Sequence, residues 1–164
     1  MQVSDDYQTR QSAAVCAFLL HRNIPLARRE YEACRDVDDA SWRYGEAFLA
    51  AYEGDLDRAY RWYRDAFSAP LLEETIPIQC EEFIQIVLEA EPEKYWLAFC
   101  LGLINHRAKG DLVAARRDFE AFLGCAEREG RFPNQIRAAM EWIREIDAKL
   151  IDHQRAKALP AGVG

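Results

Sequence analysis

At 164 residues, with 50% hydrophobic and 30% charged side chains, the chain can bury a sizeable core and suits one domain or one short array of repeats. Its formal net charge of −7 repels phosphate backbones, so nucleic acid is not the expected partner. No apolar stretch approaches the ~20 residues that span a bilayer, so no membrane contact is expected.

Ala, Glu, Arg and Leu dominate, Gly and Pro are scarce, and no alternation of apolar and polar residues argues for strands, so the expected class is all-α. In chain order, the first legible phrase is "RNIPLARREYEAC" at 22–34. A second, "EGDLDRAYRWYRDAF" at 53–67, returns as "KGDLVAARRDFEAFL" at 109–123. Gly54 falls on Gly110, Asp55 on Asp111, Leu56 on Leu112, Ala59 on Ala115 and Tyr63 on Phe119, at a constant offset of 56 residues (110 − 54). In the worn first copy, Ala27 and Tyr31 fall on Ala59 and Tyr63. Each glycine can close a helix in the left-handed conformation, and the aspartate after it can cap the next helix. The alanines suit close helix crossings. A pair joined this tightly folds back on itself and needs a stacked neighbour to bury its second face.

Between the copies, "LLEETIPIQCEEFIQIVLEAEP" at 71–92 reads as one long unpaired helix over about 75–90. Thr75 is the expected cap, and Pro77 falls in the first turn. Phe83 and Val87 are expected to face inward, with Glu81 and Glu82 outward. After "EGRFP" comes a capping helix over 134–158, with Ile136, Met140, Ile143 and Leu150 on its inner face and Ala139 and Ile146 beside them. A flexible tail is expected over 160–164.

The pattern of Trp42, Gly54-Asp55, Ala59, Tyr63, Ala66 and Pro70 resembles the tetratricopeptide repeat family, a helix–turn–helix of about 34 residues. Units at 8–39, 40–71 and 96–128 carry the resemblance. In the last, Leu101-Gly102 is similar to the family's Leu-Gly pair but about one residue out of phase. The resemblance implies a single domain over 1–159: antiparallel helix pairs in a right-handed superhelix of about eight helices, interrupted by the extra helix. It also implies a concave face, made by the first helix of each pair, that holds a peptide or a partner's helix. Those inner positions include Tyr44, Phe48 and Tyr52 in the second unit, Ile104 and Arg107 in the last, and Leu19 and Leu20 in the first. Tyr44, Phe48 and Tyr52, four apart on one helix, are the expected anchors, with Ile104 beside them. His21 and Arg107 stand ready to fix a partner's polar groups.

No phosphate loop, nucleophile elbow or zinc-binding HExxH occurs, and His21, His106 and His153 are far apart. Cysteines 16, 34, 80, 100 and 125 are odd in number and widely spaced, which argues against a disulfide frame or zinc site. The N-terminus, "MQVSDDYQTR", has no basic start with an apolar run. The expectation is a cytoplasmic, non-enzymatic adaptor or dedicated chaperone that uses no cofactor or metal. Its partner is a protein or peptide, and a homodimer stays open. The alternatives are a sensor for a small molecule or signalling peptide, or a non-catalytic subunit of an enzyme. The acidic run Glu73–Glu93 reads as a solvated helix face, with an interface for a basic partner as its rival.

Overall fold

The computed structural model describes residues 4–158; the tail at 160–164 lies outside them. Among the described residues there is no strand. Eight α-helices run α1 (Asp5–His21), α2 (Ile24–Glu32), α3 (Ala40–Tyr52), α4 (Leu56–Ser68), α5 (Ile76–Ala90), α6 (Leu97–Leu103), α7 (Leu112–Glu129) and α8 (Pro133–Ala158). A π-helical turn, Ile104–Lys109, continues α6. The closest packing is between α1 and α2, α3 and α4, α6 and α7, and α7 and α8.

The repeated phrase does what its chemistry dictates. Gly54 and Gly110 have φ of 88° and 67°. Asp55 then accepts the Arg58 N–H and Asp111 the Ala114 N–H, each at 3.1 Å. Asn23 caps α2 in the same way, through the Leu26 N–H. Ala27, Ala59 and Ala115 are buried, so each lets its helix approach its neighbours closely. At Gly102 a side chain would meet the Phe119 ring, so the bare backbone of α6 is what allows α7 to close on it. A π-helical turn, wider than an α-helix, stands between Gly102 and Gly110.

Two expected faces differ. On α8 the buried positions are Gln135, Ala139, Trp142 and Ile146, while Met140 is 46% exposed. Trp142 sets this rotation: its ring lies 5.4–6.1 Å from Tyr60, Phe99, His106 and Phe119, and burying the largest side chain outweighs burying a thioether. On α5, Val87 and Ile84 are buried and Glu82 is exposed, but Phe83 is half-buried. Glu81 does not face outward: it is largely covered and pairs with Lys109 at 2.8 Å. Thr75 makes no capping bond; its hydroxyl instead accepts from the Gln79 side chain at 2.9 Å.

α5 has no hairpin partner of its own, yet it packs on α3, α6 and the π turn. Emptying that seat should be costly. Ile84→Ala is expected to destabilise by about 2–5 kcal/mol in urea denaturation, and Glu82→Ala to stay within about 0.5 kcal/mol of the parent. An Ile84→Ala loss below about 1 kcal/mol would mean that α5 is not part of the core.

Candidate functional site

The face expected to receive a partner is occupied by the chain's own α5. Phe83 places its ring 5.7 Å from Phe18 of α1 and 5.0 Å from Phe48 of α3. Phe18 lies edge-on to both Phe48 and Tyr52 at 4.9 Å. Such edge-to-face contacts add to the area they bury, and they hold three helices at one point. Phe48 is consequently only 7% exposed, and Tyr44, packed against Tyr63 and Phe67 of α4, is 3% exposed, so neither is a free anchor.

Both ends of the α5 segment are fastened by acids. Ahead of the helix, buried Asp39 accepts the Tyr7 hydroxyl and, at 3.1 Å, the Leu72 N–H. Beyond it, Glu91 accepts the Tyr52 hydroxyl at 2.7 Å and pairs with Arg22 at 3.3 Å. Lys94 lies 4.0 Å from the centre of the Tyr52 ring and donates to the Tyr52 carbonyl at 3.2 Å. Tyr52 therefore serves as a latch between α3 and the end of α5.

The other expected site residues are dispersed. Ile104 is fully buried. His21 is exposed in the last turn of α1. Arg107 is exposed and borders a polar recess with Tyr60, Arg64, Phe67 and Ser68. His106 is half-buried against Phe119 and Trp142, and burial pushes its pKa below the ordinary imidazole value. Among the described residues the five cysteines are free, and no group of three or more His, Cys, Asp or Glu is placed to hold a metal. No helix among them is long and apolar enough to cross a membrane.

Two features were not visible in the sequence. One is a cavity of about 250 Å³ lined from α1, α2, α3, α4 and α5, with Phe18, Tyr44, Tyr63 and Cys80 in its wall. The other is an exposed apolar surface beside the seat of α5, which takes in Leu19 and Leu20, two residues expected on the inner face. Leu20 is 72% and Ile86 62% exposed, and Leu19 and Ile78 are exposed as well, on two helices that touch through Phe18 and Phe83. Exposed Glu82 and Glu89 share α5 with these isoleucines. Comparison of the chain with protein-family models, characterised proteins and solved structures returns no match.

A buried charge on the far side of α3 sets a pH dependence. Glu46 is 1% exposed, and one carboxylate oxygen has no hydrogen-bond partner among the described residues. Burial raises its pKa, opposed by Arg35 at 3.6 Å. Below the ordinary carboxylate value both folded and unfolded chains carry the proton. As pH rises past that value the unfolded chain releases it first, so stability falls until the raised folded pKa is passed. Glu46→Gln, which mimics the protonated acid, should therefore be more stable than the parent at neutral pH. Its advantage should vanish in acid, as read from urea midpoints across a pH series. A Glu46→Gln protein less stable at neutral pH would mean that the Arg35 pair dominates.

Proposed function

We propose that this chain is a non-catalytic interaction module of tetratricopeptide-like build, whose inner groove is filled by its own helix and whose partner binds outside it. The partner is a polypeptide segment, apolar on one side and basic on the other. It lies on the outer faces of α5 and α1 as an adaptor's or chaperone's client would. The observation that carries this reading is the exposure of Leu19, Leu20, Ile78 and Ile86 on two touching helices, next to Glu82 and Glu89. Scattered single apolar side chains are ordinary on a surface, whereas several on adjoining helices beside like charges suit a helix-in-groove or helix-on-helix contact. The turn chemistry of Gly54-Asp55 and Gly110-Asp111, the buried alanines and the paired helices support the repeat-like build. The acidic rim favours encounter with a basic segment.

A double substitution tests it. Leu20→Glu with Ile86→Glu leaves the core untouched, because both side chains already face solvent. It should weaken capture of the native partner from the source cell by about tenfold or more, while thermal unfolding stays within a few degrees of the parent. Undiminished capture by the double variant would place the working surface elsewhere.

A further inference from the structure

The cavity lined by α1 to α5 is built unlike an ordinary packing defect. Its volume of about 250 Å³ exceeds the roughly 150 Å³ void that accepts benzene in an engineered protein core. Much of its lining is apolar: Ala14, Phe18, Phe48, Leu49, Phe83 and Ile84. Among these side chains stand Tyr31, Tyr44, Tyr63 and Cys80. Gln11 and Ser41 are hydrogen-bonded to each other at the rim. No Asp, Glu, Lys, Arg or His lines the space.

Tyr63 is the decisive residue. It is 1% exposed, and its hydroxyl has no hydrogen-bond partner among the described residues. The Cys100 thiol beside it is the one available acceptor, and a thiol accepts weakly, so the phenol is poorly matched. A buried hydroxyl in that state is disfavoured, and an incoming acceptor would relieve it. Tyr31 and Tyr44 line the same space as Tyr63 and Cys80. Burial holds all three phenols protonated far above neutral pH, so each remains a donor. Gly45 borders the space too: a side chain there would meet the Tyr31 ring, so the bare backbone lets that ring reach the wall.

We propose that this cavity is a binding site for a small, neutral, largely apolar molecule bearing one hydrogen-bond acceptor, such as a ketone or ether oxygen, which the unpartnered Tyr63 hydroxyl and its neighbouring phenols receive. Scaled from benzene, the volume corresponds to about ten non-hydrogen atoms. An ionised ligand is excluded, because it would leave water for a wall that offers no counter-charge. The site lies beneath α5 and is separate from the outer face proposed for a polypeptide.

Three probes of nearly one shape test the claim by titration calorimetry on the full chain: acetophenone, α-methylstyrene, which replaces the carbonyl oxygen by a methylene, and benzoate, which is charged. Acetophenone should bind saturably at one site, with α-methylstyrene about tenfold weaker, the cost of leaving the donor unmatched. Benzoate should not bind. Tyr63→Phe should bring acetophenone down to the α-methylstyrene level while the ligand-free variant melts at or above the parent temperature. The Leu20→Glu, Ile86→Glu variant should bind acetophenone as the parent does. The proposal is overturned if neither neutral probe saturates by millimolar concentration, if the two bind equally, if benzoate matches acetophenone, if Tyr63→Phe changes nothing, or if the outer-face variant abolishes binding.

Discussion

Phe83 of α5 resting against Phe18 and Phe48 is the contact on which the arrangement of the N-terminal half turns. A helix pair buries only one face against itself, and the second face of α1 and α3 carries Phe18, Tyr44, Phe48 and Tyr52. Left open to water, that aromatic strip would lose about 25 cal/mol for each Å² not buried. α5 covers it, and because α5 follows directly on α4 the covering element is always at high local concentration. A strip that would suit a partner's helix is thereby satisfied from within, and the apolar residues left over lie on the outer side of α5 and on neighbouring α1.

Aromatic contacts alone would leave the ends of α5 free to fray, and the polar contacts address the ends. Asp39 gathers donors from α1 and from the linker ahead of α5, and Glu91 gathers them from Arg22, just past α1, and from α3. Each acid therefore ties parts of the chain that are remote in sequence. The fit between the two ends is not complete: helices pinned at both termini and touching through bulky rings leave space between them, and the cavity under α5 is that space. Its wall keeps an unsatisfied phenol, a costly feature for a region whose only role is packing.

How far this could be read in advance depends on the range of each interaction. The Gly54-Asp55 and Gly110-Asp111 turns were legible because a positive φ and a cap are settled within four residues. The buried alanines followed from the same local logic. The rotation of α8 was not, since Met140 and Trp142 both lie near an apolar stripe and only the rings of Tyr60, Phe99, His106 and Phe119 decide between them. The burial of Tyr44 and Phe48 was not, because periodicity says which residues share a face and never what lies on it. Nothing in the sequence marks Asp39: its carboxylate serves Tyr7 and Leu72, which lie 32 and 33 residues away. The cavity depends on five helices at once and has no signature in any one of them.

The central claim is that α5 belongs to the folded core and is not a detachable cover. Native-state amide hydrogen exchange, resolved along α3 and α5, addresses it directly. The amides of Ile84–Val87 should exchange with the same free energy as those of Ala47–Ala50, through unfolding of the whole domain. Exchange of α5 several orders of magnitude faster, with α3 still protected, would contradict the account and make α5 a lid over an open aromatic groove.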